Sequence, residues 1–472
     1  MKNIQFIAWF AAFILLFTAI VGTFVYAVDP LQLYRKSAYE PLFTKQERYQ
    51  NPGLAKNYAY DTIILGSSMT ENFVPSQVGK VLGGKVMKLS MEGSTAKEQR
   101  MIADVAIKTG QVKKVLWGID YFSFRDDSVR GEETFPYYLY DESKLNDYKY
   151  LFNISNVKHA LGVLYLPKAM LPELRTLDML NNWDASAVYG AKRVLAKREE
   201  ARLSEQMTSE TEPSLDIVKK SFDRNTISLM KAHPEIEFIV YFPPYSILRQ
   251  QLWYSINPER FNNQLEMKKY MFEQFSALSN VTVHDFQNDS SITYNLDEFK
   301  DLSHHSADIN RFIVEEIAAG SHLVTAENVE LNNRQLQEQV NSLVVGESGQ
   351  IYSIAINING EPVMFKELPP ADSDQVSVPL KDFADAAGIE FTYDAGSKNV
   401  SLSYGEQELS LGVGDQTAKV NGESTSLDIP AKIYKNRVNG PLIQIIQLLR
   451  GEVEITKDEP DSHLVTYNIT LD

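Results

Sequence analysis

Tyr60-Asp-Thr-Ile-Ile-Leu-Gly-Ser-Ser-Met69 is the stretch whose reading decides the fold. Thr62 to Leu65 is a short apolar, β-branched run, the pattern of a buried strand, and Gly66 breaks it into a turn. That turn presents Ser68 at the carboxyl end of the strand, where open α/β sheets carry their chemistry. A serine hydroxyl is a poor nucleophile until an imidazole takes its proton, and the imidazole works best with a carboxylate fixing its tautomer. Far along the chain, Asp301-Leu-Ser-His304 offers both groups from one short loop at the mouth of a helix.

Working outward, strand-like runs recur at Thr62 to Leu65, Lys85 to Leu89, Lys114 to Gly118, Glu237 to Phe242 and Val281 to Phe286. Helical patterns such as Thr95 to Lys108 and Leu215 to Lys231 separate them. This alternation predicts an α/β fold, a mainly parallel sheet covered by helices on both faces, over residues 57–320. The gap between Phe124 and Pro213 is too long for a simple crossover. It predicts a helical insertion over about 125–213, aromatic early at Phe135-Pro-Tyr-Tyr-Leu-Tyr140 and ending in a mobile charged segment at 204–213. Residues 29–56, with Pro30, Pro41 and Pro52, read as a stalk or a strand over the domain, and the polar, helix-prone residues 321–348 read as a linker.

The segments that carry the chemistry come in a familiar order. Gly66-Ser67-Ser68-Met69, Gly93 in Lys88-Leu-Ser-Met-Glu-Gly-Ser-Thr95, Gly118-Ile-Asp120 and Asp301-Leu-Ser-His304 resemble the four blocks of the SGNH (GDSL-like) hydrolase superfamily. The resemblance is to its membrane-anchored subset, which includes the alginate-acetylation proteins and the D-alanyl-lipoteichoic acid transfer protein. It implies a three-layer, flavodoxin-like sheet with Ser68 as nucleophile, His304 as base and Asp301 as its orienter. The backbone amides of Ser68 and Gly93 are then the implied oxyanion donors, and Asp120 stands on the oxyanion side where the superfamily usually has Asn. An ionised Asp only accepts hydrogen bonds, so the third donor is missing unless Asp120 is protonated or has another task.

Residues 349–472 change character to short strands and turns. Ile358-Asn-Gly-Glu-Pro362 and Val420-Asn-Gly-Glu423 predict hairpins. Val378 to Asp394 followed by Lys398 to Leu402 resembles the domain named after the N-terminal region of copper amine oxidases, and a weaker copy runs through Pro441 to Leu449, so the unit reads as an internal repeat. His463 is the one histidine in this segment, so a copper site lacks the ligands to build it, and neither a metal nor another cofactor is expected.

Composition excludes some classes. The net charge of −16 and the lack of a Lys/Arg run argue against a nucleic-acid partner, because phosphate binding needs a basic face. Cysteine is absent, which removes disulfides and thiol chemistry. Ile4 to Val28 is almost wholly apolar, interrupted mainly by Gln5 and Thr18, and is long enough to cross a hydrocarbon core of roughly 30 Å. It predicts a membrane anchor over residues 1–28. A signal peptide is the competing reading, since Val25-Tyr26-Ala27 loosely fits a cleavage site, but the run exceeds the usual h-region. Arg35, Lys36, Lys45 and Arg48 follow the segment and Lys2 precedes it, which by simple count keeps the body inside. Long domains translocate largely regardless of such charges, and the resemblance puts the body outside the cell.

Each functional residue has a plainer rival. Ser68, Asp301 and Ser303 are all residue types that cap helices. His305 competes with His304 as base, and His284-Asp285 ends a strand on the same rim, where a structural role is the stronger reading. His159, His233 and His322 have no evident partners in the sequence, and the aromatic cluster near Phe135 reads as core before it reads as a sugar platform. Two functions follow as expectations. The first is a surface-anchored serine esterase or O-acyltransferase acting on cell-wall or secreted polysaccharide. The second is a non-catalytic scaffold on the same fold that binds glycan or an integral membrane acyltransferase.

Overall fold

A computed structural model describes residues 2–208, 212–346, 349–363, 365, 368–369, 376–457 and 463–471. In chain order its first elements are α1 (Lys2–Val28), α2 (Glu47–Asn57), β1 (Thr62–Leu65), α3 (Pro75–Leu82), β2 (Val86–Lys88), α4 (Ala96–Ile107) and β3 (Lys114–Gly118). The insertion follows as α5 (Tyr137–Tyr140), α6 (Tyr148–Leu151), α7 (Ile154–Tyr165) and α8 (Ala191–Thr208). The domain is completed by α9 (Leu215–Phe222), α10 (Ser228–Ala232), β4 (Glu237–Phe242), α11 (Ile247–Ile256), α12 (Pro258–Ser276), β5 (Val281–Asp285), α13 (Ser290–Thr293) and α14 (Ala307–Ala319).

The five strands form one parallel sheet in the order β2-β1-β3-β4-β5, a doubly wound arrangement. Every residue of β1 is buried, as expected of a central parallel strand covered on both faces. The strand order reverses beside β1, so a crevice opens between the carboxyl ends of β1 and β3. Helix α4 starts at a capping box in which the Thr95 hydroxyl accepts from the Glu98 amide and Glu98 accepts from Thr95 N. The helical run expected from Leu215 to Lys231 is interrupted by a π turn at Asp223–Ile227, where Asn225 Nδ2 donates to Ser221 O and to Asp127 Oδ1.

Three expectations are corrected by packing. Residues 29–56 are no stalk: Leu31, Leu33 and Phe43 are buried in the main core, and α2 lies on α4 with Arg48 Nε 2.7 Å from Glu98 Oε1. Residues 321–348 are no free linker. They contain α15 (Val329–Ser342), whose Leu336 and Val340 are buried against the sheet domain, and β6 (Leu343–Val345). The charged segment at 204–213 is held at both ends, because Arg249 Nη1 lies 2.5 Å from Glu205 Oε1 and Glu212 is buried between Arg260, Arg125 and Tyr121. Residues 209–211 lie outside the described residues.

The C-terminal region is β-rich. Its elements are β7 (Ile351–Ile358), β8 (Glu361–Val363), β9 (Ser377–Pro379), α16 (Leu380–Ala387), β10 (Glu390–Asp394), β11 (Asn399–Tyr404), β12 (Gln407–Gly412), β13 (Thr417–Val420), β14 (Glu423–Ser426), β15 (Lys432–Tyr434), β16 (Arg437–Pro441), α17 (Leu442–Leu448), β17 (Glu452–Lys457) and β18 (Leu464–Thr470). Asn359-Gly360 and Asn421-Gly422 have φ of 51° and 84° and of 50° and 88°, as two-residue hairpin turns require. The repeat read in the sequence is visible as geometry. Strands β9 and β16 pair antiparallel, each runs through a proline into a short helix, and each helix leads to a hairpin. The region has its own core, yet it is joined to the sheet domain: β6 pairs with β7, Ile351 shares a core with Leu336, and the Tyr294 hydroxyl bonds the Ser353 hydroxyl.

Candidate active site

The turn after β1 needs glycine. At Gly66, with φ of +147°, a Cβ would lie 2.6 Å from Thr70 Cγ2 and 2.9 Å from the Gly118 carbonyl oxygen of β3. Ser67 then caps the single 3₁₀ turn Ser68–Thr70, and Ser68 heads that turn at the mouth of the crevice. Across it, Ser68 Oγ is 2.9 Å from His304 Nε2, and His304 Nδ1 is 2.9 Å from Asp301 Oδ2 and 3.0 Å from Oδ1.

Burial pushes the Asp301 carboxyl up, but the His304 ring and the amides of Ser303 and His304, all donating to it, leave it well below the usual carboxylate range. An ionised Asp301 holds the proton of His304 on Nδ1 and leaves Nε2 to accept from Ser68. The arrangement can therefore draw a proton off Ser68.

Two features around this trio were not legible in the sequence. Trp183, from the insertion, sets its ring edge-to-face on His304 with centroids 5.6 Å apart, and Lys300 Nζ lies 3.5 Å from the Trp183 ring centroid. Arg130 covers Gly93: a Cβ there would be 2.5 Å from Arg130 Nη1 and 2.8 Å from Cζ. Gly93 has φ of +55°, in the left-handed region. Ser68, Gly93, Asp120, Arg130, Trp253 and His304 line one cavity of about 180 Å³.

Asp120 has a different surrounding from the one an oxyanion donor needs. Its carboxyl is buried and accepts from the hydroxyls of Ser67 and Tyr245. Burial raises its pKa, while those two bonds and the nearby His304 ring act the other way. In this geometry it ties the turn after β1 to Tyr245, in the loop that follows β4.

The remaining candidates fall away from the crevice. His305 points into the core, Nδ1 3.2 Å from Ser306 O and ring edge-on to Phe299. His284 Nδ1 is 2.7 Å from Ser321 O, and Asp285 pairs with buried Lys268. His159 meets Leu42 O, His233 meets Glu235 and His322 meets Asp289. Phe135 and Tyr140 are buried against each other.

Residues 357–462 match the copper amine oxidase N-terminal domain family. The C-terminal region therefore contains a domain of that kind. The matched residues include no histidine and no cysteine, so their donor set does not fit a copper site. No curated protein matches the chain in sequence. Among solved structures, a Streptococcus pneumonia protein named for platelet activating factor is 10% identical, over 58% of this chain and 90% of that one, with a TM-score of 0.28. At that score the likeness carries no argument.

Proposed function

We propose that the protein is a membrane-anchored serine esterase or O-acyltransferase of the SGNH type that moves a small acyl group onto or off a cell-wall or secreted polysaccharide. One observation carries this reading: Ser68, His304 and Asp301 stand in hydrogen-bonded series at the mouth of the crevice. The order of the four sequence blocks and the doubly wound sheet support it.

In the reaction, Ser68 Oγ attacks the ester carbonyl carbon as its proton passes to His304 Nε2, and the carbonyl electron pair moves onto oxygen. Collapse of the tetrahedral species expels the alcohol, which takes the proton back from His304. Water or a sugar hydroxyl then gives its proton to His304 and attacks the acyl-serine carbonyl. Collapse breaks the acyl–Ser68 bond, with Ser68 Oγ taking the proton back from His304 and the acid or new ester leaving. Hydrolysis and transfer differ only in whether water or the sugar hydroxyl arrives.

Helix α1 is apolar enough to span a membrane or to act as a signal sequence. An uncleaved anchor is the reading we favour, because Val25 and Val28, on either side of the candidate cleavage site, are buried against the domain, and the sequence resemblance favours a body outside the cell. Arg35 Nη2 also donates to the Ala27 carbonyl at the helix end. A polysaccharide is the proposed partner, and an integral membrane acyltransferase would supply the acyl group if the protein transfers.

Labelling with a serine-directed fluorophosphonate tests the reading. The wild-type protein should be labelled and should release p-nitrophenol from its acetate ester. Ser68→Ala and His304→Ala should lose nearly all of both, with Asp301→Asn keeping somewhat more. Absence of labelling in the folded wild type would favour the scaffold instead.

A further inference from the structure

Outside α1, exposed large apolar side chains crowd into one part of the insertion. On α7, Ile154, Leu161, Leu164 and Tyr165 are 65%, 44%, 48% and 77% exposed. At 100° per residue these four fall within one arc of the helix surface, with Asn156 buried on the far side, Ala160 buried at the arc's flank and Val157, inside it, partly buried against the main core. The helix is thus amphipathic with its apolar stripe turned outward, the reverse of a helix packed on a soluble core. Lys158, exposed, borders the stripe.

The depth of this stripe is set by α1. Helices α6 and α7 both pack on α1, and a Cβ at Gly22 would lie 3.1 Å from the Phe152 ring that joins them. Gly22 stands 18 residues after Ile4, about 27 Å of helix at ~1.5 Å per residue, against a hydrocarbon core of roughly 30 Å. Phe152 is therefore level with the hydrocarbon boundary when α1 spans.

We infer that α7 and its flanks lie in the membrane interface, with the apolar stripe against the lipid acyl chains and Lys158 at headgroup level. This rests on the reading of α1 as a retained anchor. The occupant is lipid, because the stripe continues the surface of a helix that lipid already covers. The sheet domain is then held to the bilayer at two places, α1 and α7, which fixes its orientation instead of leaving it to swing on one helix.

The chain has no cysteine, so single spin labels can be placed without background. Leu161→Cys, Leu164→Cys and Tyr393→Cys, all at exposed positions, would be labelled with a nitroxide in the full-length protein reconstituted into lipid nanodiscs without any other protein. Relaxation by oxygen should exceed relaxation by a water-soluble nickel chelate at 161 and 164, and the order should reverse at 393. Equal access of the nickel chelate to all three labels overturns the inference, and is the result expected if a protein, not lipid, covers the stripe. Failure of the full-length protein to float with vesicles is a separate result: it removes the anchor itself, and the assignment of α7 with it.

Discussion

The hydroxyl of Ser67 donates to the buried carboxyl of Asp120, so the residue before the candidate nucleophile is fastened across the gap between β1 and β3. Tyr245 donates to the other oxygen. Both carboxyl oxygens are thus engaged as acceptors, and the two bonds orient the turn that carries Ser68.

Asp120→Asn should therefore lower the esterase rate, because an amide supplies one acceptor oxygen where the carboxylate supplies two. Asp120→Ala leaves both buried hydroxyls unpaired and should cost about 1–3 kcal/mol of stability as well. Steady-state kinetics and urea melts read both. A faster Asn variant would mean that the carboxylate merely withholds a donor from the oxyanion, and would sink this account.

If Asp120 is committed to Ser67 and Tyr245, a further donor to the oxyanion has to come from another group. Arg130 is exposed over Gly93 and no carboxylate pairs with it among the described residues. Arg130→Gln should reduce kcat on p-nitrophenyl acetate by on the order of 10²-fold with KM little changed, the result of losing a donor to the oxyanion. Arg130→Lys should recover part. A rise in KM alone would make Arg130 a substrate-binding residue with no part in the chemical step.

Much of the sheet was legible. β1, β3 and β4 begin and end where the apolar runs do, because a parallel strand covered on both faces is one continuous apolar segment closed by Gly or Pro. The nucleophile turn and the Asp301–His304 loop were legible for the same local reason: each is a complete chemical pattern in a few residues. Helix α2 was not. It contains Pro52 and Gly53, and it forms because Leu54 and Ala55 are buried and Arg48 reaches Glu98, all of which are tertiary. Trp183, Arg130 and Tyr245 reach the crevice from loops and the insertion, where no spacing marks them.

A pH titration of stability should reveal the burial of His305. Burial pushes His305 down to about 4, so the folded protein keeps it neutral over a range in which an unfolded chain, at about 6.5, takes up a proton. More protons bound in the unfolded state means that stability falls as the pH is lowered, by about 1.4 kcal/mol per pH unit between these values. Asp301, held below its ordinary range, contributes stability above about pH 4 that is lost further down. Denaturation midpoints measured from pH 7 to 4 should slope downward, and His305→Gln should flatten that slope. An unchanged slope would show that His305 already titrates normally.

The boundary between the two globular parts lies later than polarity suggests. Leu336 and Val340 of α15 are 0% and 2% exposed, packed in the core that contains Ile64 and Leu116 of the sheet. Burying such side chains contributes ~1.5–3 kcal/mol each, a large share of a typical ~5–15 kcal/mol total. A chain ending at Ala319 discards them and should melt at a clearly lower temperature than the full-length protein. One ending at Ser342 keeps α15 and should melt near the full-length value. It should also retain turnover on a small ester, because the residues that line the crevice end at His304. Residues beyond it have a core of their own around Val400, Leu402 and Tyr467 and should unfold as a separate cooperative unit. Calorimetry of the two shortened chains decides the matter: identical melting temperatures would show that α15 adds nothing to the sheet domain and belongs with the C-terminal one.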